Sequence, residues 1–356
     1  MSLHQPAAEP SATTAARHAD PVRAWLFAVA ALVFALVSVG GATRLTGSGL
    51  SITEWQPIMG VVPPLSEAAW REAFEKYRQI PQYTHVNRGM SLDAFKYIFW
   101  WEWTHRFLAR FIGVAFFVPF IFFLATGRLS RRLAPKLTGL FVLGGLQGAI
   151  GWYMVRSGLA ERIDVSQYRL ALHLSLAILI FAGLMWTAFS LGRQRPEAEA
   201  VSPVHRRTAA LLVGLIFLQI VAGAFVAGLK AGAGYNTWPL MDGRLVPDGL
   251  WVIQPWWVNL FESATTVQFN HRMLAYVLLA AAAWHAWLLL ATTRNSLIRT
   301  SVLALVSAVV AQAVLGIWTL LAQVPLSLGL AHQAGAVVVF GVALWHLHLV
   351  LPQRQG

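Results

Sequence analysis

Cysteine is absent from the 356 residues of this chain. Its absence excludes disulfides, thiolate metal sites, iron–sulfur clusters and CxxCH haem attachment. Any metal must be held by histidine or carboxylate, or arrive inside a cofactor. Charge is scarce as well. Asp, Glu, Lys and Arg make up 12% of the residues, about half the fraction a soluble domain carries. The net charge is +12, a sign that can mark a nucleic-acid binder. Here the basic residues form no single patch and sit mostly in short loops, so no nucleic-acid partner is expected. The first 22 residues contain no apolar run, which argues against a cleavable signal. Rich in Ala, Pro, Ser and Thr, residues 1–23 read as a disordered cytoplasmic tail.

What the chain has in excess is hydrocarbon. Hydrophobic residues make up 57% of it and mean hydropathy is +0.58. Runs long enough to cross a bilayer, about 20 residues, recur along it. Eight spans are expected, near 24–43, 99–126, 134–155, 170–191, 208–229, 269–291, 298–322 and 329–350. The fold class is therefore all-α integral membrane, with membrane lipid as an obligatory partner. Loops after the second, fourth and sixth spans are short and basic, carrying Arg128, Arg131, Arg132 and Lys136, then Arg193, Arg195, Arg206 and Arg207, then Arg294 and Arg299. The positive-inside rule then places both termini in the cytoplasm.

Two outer loops are long. In 44–98, Ser66 can cap a helix whose Trp70, Ala73, Phe74 and Tyr77 share a face, and Pro81 stops it. Ser91 can cap the helix that leads into the second span. The loop 230–268 carries Trp238, Trp251, Trp256 and Trp257, suited to the membrane interface.

The chain repeats internally. LQGAIGW (146–152) matches AQAVLGIW (311–318), which aligns Gln147 with Gln312 and Gly151 with Gly316. EWTHRFLARF matches QFNHRMLAYV, and the stretch ending TEWQPIMG (53–60) echoes NTWPLMDG (236–243). Four spans per half make both halves enter from the same side. The expected architecture is two pseudo-symmetric four-helix bundles related as a parallel repeat, at 24–191 and 208–350, joined by a cytoplasmic linker at 192–207. Gly40, Gly41, Gly144, Gly145, Gly148 and Gly151 would let helices approach closely.

Four histidines stand at matching places near the outer ends of even-numbered spans: His105, His173, His271 and His332. A single intramembrane histidine reads as a helix–helix hydrogen bond. Four at one depth read as ligands, because an imidazole beside hydrocarbon is costly without a partner. Paired across a bundle core, His105 with His173 and His271 with His332, they suit the axial positions of haem iron. Zinc would need a third ligand that neither pair has nearby. Glu102 lies one helical turn before His105, where the second half has Gln268, so the halves differ in one ionisable group. It can exchange a proton or stabilise positive charge; the alternative is an interface carboxylate paired with Arg. Arg44, Arg106 and Arg272 are candidate contacts for anionic propionates, or else interface anchors. His285 and His346 each follow a candidate ligand by 14 residues, the spacing that would stack a second, inner haem; the alternative is two interface histidines. His85 reads as a solvated loop residue.

Seven stretches carry a resemblance: GGATRLTGSGLSITEW (40–55), FKYIFWWEWTHRFLAR (95–110), GLQGAIGWYMVRSGL (145–159), VSQYRLALHLS (165–175), GAFVAGLKAGAGYNTWPLM (223–241), QFNHRMLAY (268–276) and AHQAG (331–335). Over about residues 25–350 the chain resembles the haem A synthase family, on its mitochondrial-like branch. The resemblance implies an oxidoreductase that turns the C8 methyl of haem O into a formyl group, by two oxygenations and loss of water. It implies His105 and His173 as axial ligands of the substrate haem, His271 and His332 as iron ligands of a haem b cofactor, and Glu102 as the catalytic carboxylate. His285 and His346 fall outside the family's ligand set, and the cysteine pair some bacterial members carry is missing. The implied setting is a bacterial inner membrane, with the haem sites toward the periplasm and a role in cytochrome oxidase assembly. Candidate partners besides haem O are a haem O synthase, an electron acceptor and further copies of the chain. The competing readings are a b-type electron-transfer cytochrome, which also needs paired histidines, and a transporter built on a parallel repeat.

Overall fold

The computed structural model describes residues 12–56, 59–160, 162–192 and 201–352. Among them regular structure is helical, apart from one isolated β-bridge between Met241 and Arg244. In chain order the helices are α1 Ala12–Leu45, α2 Glu67–Tyr77, α3 Pro81–His85, α4 Leu92–Ala125, α5 Leu133–Ala160, α6 Gln167–Ser190, α7 Pro203–Gly228, α8 Asn259–Glu262, α9 Ala264–Thr292, α10 Ser296–Leu321 and α11 Leu326–Val350. All except α2, α3 and α8 are long and apolar enough to cross a membrane. Eight such helices make this a multi-pass membrane protein, and each coincides with one expected span.

The expected tail and linker fall partly outside the described residues. Residues 1–11 of the expected tail lie outside the described residues, and helix begins at Ala12. Val22 is already buried, so packing extends the first helix beyond its apolar run. Residues 193–200 of the expected linker, with Arg193 and Arg195, also lie outside; α7 starts at Pro203, where a missing N–H costs nothing.

Lipid is as apolar as leucine, so helices associate in it by close packing rather than by escape from water. Helix α1 lies against α4, α6 and α11; α7 lies against α6, α9 and α11; α10 lies against α9 and α11. Leu26, Phe120, Ile178, Leu212, Leu305 and Phe340 belong to one continuous apolar core that runs through these contacts. Helix α5 is the least enclosed, with only Leu137 and Gly158 buried along it.

The loop between α1 and α4 folds as a cap. Ser66 and Ser91 accept hydrogen bonds from the amides of Ala69 and Ala94, both at 3.2 Å, which starts α2 and α4 where their sequences call for it. The apolar face of α2 lands on the start of α4: Trp70 meets Phe99 at 4.9 Å and Phe74 meets Phe95 at 5.0 Å between ring centroids. The Tyr77 hydroxyl, buried beneath, donates to Gln82 Oε1 and accepts from Asn87 Nδ2, while Gln82 Nε2 donates to the carbonyl of Gly47. That chain ties the cap to the turn leaving α1, where Gly47 takes a φ of +66°. In the α7–α9 loop Trp238, Trp251, Trp256 and Trp257 are exposed.

A candidate haem site built on four histidines

Each of the four histidines projects from an even-numbered span onto a glycine of a neighbouring helix. A Cβ built on Gly40 would stand 3.1 Å from His105 Nε2, and one on Gly151 would stand 3.0 Å from His173 Cε1. On Gly223 it would stand 3.3 Å from His271 Cε1, and on Gly316 2.7 Å from His332 Cε1. Glycine lets an edge of each ring come this close to the neighbouring helix. All four histidines are half-buried, as ligands lining a cleft would be.

Three of the four also touch a glutamine one turn before that glycine. Gln147 Nε2 donates to the carbonyl of His173 at 2.9 Å, and stands 3.4 Å from its Nε2. Gln219 Nε2 bonds the carbonyl of His271 at 3.1 Å and stands 3.3 Å from its Nε2. Gln312 Nε2 bonds the carbonyl of His332 at 2.7 Å and reaches its Nδ1 at 3.1 Å. The sequence reading missed Gln219 and Gly223. Their signal was present as three copies of Q-x-x-x-G, at 147–151, 219–223 and 312–316.

The pairs can be measured against a metal. The rings of His271 and His332 have centroids 6.4 Å apart. Two metal–imidazole bonds of about 2 Å, with about 1.1 Å more from each nitrogen to its ring centre, require roughly 6.3 Å. That pair therefore has the spacing of two axial ligands. Buried polar atoms without a hydrogen-bond partner include His173 Nδ1, His271 Nδ1, Arg44 Nε and Arg272 Nε. Orphaned donors of this kind are costly, and they suit an anionic, metal-bearing ligand. No cluster of three metal-ligating side chains occurs among the described residues, so a four-coordinate zinc site is not supplied.

His285 and His346 behave differently. Their Nε2 atoms are 2.8 Å apart and their ring centroids 5.1 Å apart. Iron between two imidazoles needs about 4 Å from nitrogen to nitrogen. The inner haem considered from the 14-residue spacing is therefore excluded for these rings as placed. Instead, Thr208 Oγ1 meets His285 Nδ1 at 2.7 Å and Ser301 Oγ meets His346 Nδ1 at 2.8 Å. The result is a buried hydrogen-bonded chain across α7, α9, α11 and α10. His85 is exposed, in keeping with a loop residue.

Glu102 is buried beside His105, with both oxygens occupied. Oε1 accepts from Arg106 at 2.6 Å and 3.0 Å; Oε2 accepts from Ser51 Oγ at 2.8 Å and from the Ile52 amide at 2.9 Å. Arg106 continues to the carbonyls of Ile52 and Glu54. In the second half Gln268 donates to the carbonyl of Tyr235, and Arg272 donates to those of Tyr235 and Thr237. Arg106 and Arg272 thus pin the two outer loops, each at matching carbonyls. Arg44, at the end of α1, bonds the carbonyl of Ala227. Both side chains tie down their loop, Glu102 by accepting four hydrogen bonds and Gln268 by donating one, its Oε1 having no partner.

A seam separates α4 from α5. A Cβ on Gly113, Gly144, Gly145 or Gly148 would meet nothing within 4 Å. The expectation that the last three draw helices together is corrected: no neighbour comes within 4 Å of a Cβ at any of them, although just before them Phe141 of α5 stacks on Phe116 and Phe117 of α4. A groove of about 380 Å³ runs along it, lined by Arg110, Gly113, Val114, Phe117, Val118 and Phe141. A larger groove, of about 920 Å³, lies against α5 and α6 around Lys136 and Trp186, with no histidine in its lining. The residues aligned with Gly113 and Gly144 are Leu279 and Val309, and both pack into the core. One seam is open and its counterpart is filled.

Comparison with known proteins follows the same residues. The family COX15-CtaA, described as cytochrome oxidase assembly protein, matches residues 23–344. A protein of Parvibaculum lavamentivorans named Heme A synthase is 58% identical over 324 residues, covering 91% of this chain and 92% of its own. Proteins of the same name from Bradyrhizobium diazoefficiens and Chelativorans sp. are 56% and 55% identical, each over at least nine-tenths of both chains.

Proposed function

The chain belongs to the haem A synthase (COX15-CtaA) family of cytochrome oxidase assembly proteins, an oxidoreductase activity that converts haem O to haem A, and we propose how its residues divide that work. The substrate haem O is held between His105 and His173, and a resident haem b between His271 and His332. The observation that carries this division is the pair of near-identical cradles, each with two glycine-backed imidazoles, of which only the first has a carboxylate one turn away. The 6.4 Å between the rings of His271 and His332 supports the axial assignment. The architecture is read as two four-helix bundles in parallel repeat, with termini in the cytoplasm and the haems toward the periplasm.

Conversion of the C8 methyl to a formyl group removes four electrons from one carbon. When bound, haem b would supply one-electron redox capacity beside the substrate site. The chain's own residues hold and orient. Gly40 and Gly151 set how closely the two substrate ligands approach their neighbouring helices. Arg44, Arg106 and Arg272 present guanidinium groups at the loop ends of the helices, where propionates need partners. Glu102 places a carboxylate near the methyl that reacts, where positive charge developing on the carbon would be stabilised. The open α4–α5 seam takes the polyprenyl tail of haem O from the bilayer. The filled α9–α10 seam keeps haem b in place, which suits a substrate that must exchange beside a cofactor that must not.

The test is to express the chain with a haem O synthase in a host that makes no haem A, and to identify extracted haems by mass spectrometry. The reading expects haem A together with haem b. Haem b alone, in a cell shown to contain haem O, would instead indicate an electron-transfer cytochrome.

A further inference from the structure

The glutamine contacts divide the four histidines three to one. His173, His271 and His332 each have a carboxamide on the backbone carbonyl and against the ring. An α-helical carbonyl has a second lone pair beyond its ladder bond, so the contact costs the helix nothing. With the glycine one turn on, each histidine is held at two points: a carboxamide on its backbone carbonyl and a neighbouring backbone against the Cε1 edge of its ring. His105 has the glycine surface, Gly40, but the position one turn before it is Leu36. A leucine donates no hydrogen bond, and the His105 ring has none from any described residue. The polar tie near His105 belongs to Glu102 and Arg106, which hold the loop rather than the imidazole.

We propose that Gln147, Gln219 and Gln312 are positioning residues that lock His173, His271 and His332 as permanent axial ligands, and that unlocked His105 is the ligand that leaves the substrate iron during turnover. The proposal rests on the assignment of the two haem sites above. Its chemistry balances simply: one iron–nitrogen bond breaks, the imidazole keeps its lone pair, and no electron moves. An iron held by two imidazoles has no place for another ligand. Release of His105 opens one face of haem O, the face next to Glu102, to a small oxidant such as dioxygen or a peroxide. The haem b pair, locked on both sides, stays closed and limited to electron transfer. The asymmetry is built into α1, where one residue of a motif present on α5, α7 and α10 has been replaced.

The experiment uses the purified haem-loaded protein, reduced with dithionite and titrated with carbon monoxide, with absorbance bands of the two haem types followed separately. In the unaltered chain carbon monoxide should shift the haem O or haem A band and leave haem b untouched. Leu36→Gln supplies the missing carboxamide. It should keep both haems at their original stoichiometry and weaken carbon monoxide binding at least tenfold. Gln312→Met, which keeps the side-chain length without the donor, should let the haem b band respond as well. Should Leu36→Gln fail to fold, the band assignment in the unaltered chain and the Gln312→Met response still decide. Carbon monoxide binding equally to both haems, or to neither, in the unaltered chain would overturn the proposal, as would a fully loaded Leu36→Gln protein that binds it like its parent. Absence of any haem O or haem A in the purified pigment would instead sink the site assignment beneath it.

Discussion

Replacing Gly316 by alanine adds one methyl group at the tightest point of the four cradles. The new Cβ would lie 2.7 Å from His332 Cε1, where carbon–carbon contacts settle at about 3.5–4.0 Å. The ring must retreat by roughly 1 Å from the helix it now touches through its Cε1 edge, which would displace it from the position in which it holds iron. Overpacking of this kind costs about 1–3 kcal/mol, which corresponds to roughly a 5- to 150-fold loss of haem b affinity. Helix propensity runs the other way, since alanine in a helix is better than glycine by about 1 kcal/mol. A loss cannot then be blamed on a weaker α10. Gly223→Ala is the internal control: its Cβ would lie 3.3 Å from His271 Cε1, so the ring needs to give only slightly. Haem b retained per polypeptide after detergent purification, and its affinity on reconstitution, are the readouts. Unchanged haem b affinity in Gly316→Ala, or a greater loss in Gly223→Ala, would refute the cradle argument.

Other outcomes follow from the same contacts. Glu102→Gln copies the state of the second half, where Gln268 stands, and avoids leaving Arg106 buried without a partner; both haems should remain while haem A formation, measured by chromatography of extracted pigment, falls at least about a hundredfold. Wild-type turnover in that protein would reduce Glu102 to a loop anchor. Gly113→Leu transplants Leu279 into the open seam, and should lower the haem O and haem A content severalfold with haem b unchanged; equal loss of both haems would argue against separate sites. His346→Phe leaves His285 Nε2 without a partner and Ser301 with only the carbonyl of Ile298, and should lower thermal stability by about 1–3 kcal/mol without changing the haem b spectrum. A changed haem b spectrum there would mean that the inner pair acts on the cofactor.

The eight spans were legible because a bilayer demands one property, an apolar length, that a sequence displays directly. The caps at Ser66 and Ser91 were legible because they are local, needing only a side-chain oxygen three residues before an amide. The four histidines stood out because a polar ring in hydrocarbon has few explanations. What escaped was lateral. Fourteen residues between His271 and His285 fix their rotation about α9, but nothing in one helix gives the distance to His346 on another, and 2.8 Å excludes the iron that about 4 Å would admit. Gly144, Gly145 and Gly148 read as close-packing residues, yet a glycine permits an approach without requiring it, and no neighbour comes close to any of the three. That Arg106 and Arg272 also hold loop carbonyls was not legible, because those loops had no readable conformation. The tail was read from its composition, whereas Val22 packs against neighbours that composition does not name.

The central claim is that the first pair of histidines carries the substrate and the second pair the cofactor. The most direct measurement is the haem composition of two double variants, His105→Ala with His173→Ala and His271→Ala with His332→Ala, purified from cells that make haem O. The account predicts that the first protein retains haem b and lacks haem O and haem A, whereas the second lacks haem b and retains haem O. Loss of the same haem from both proteins, or the reverse partition, would contradict it.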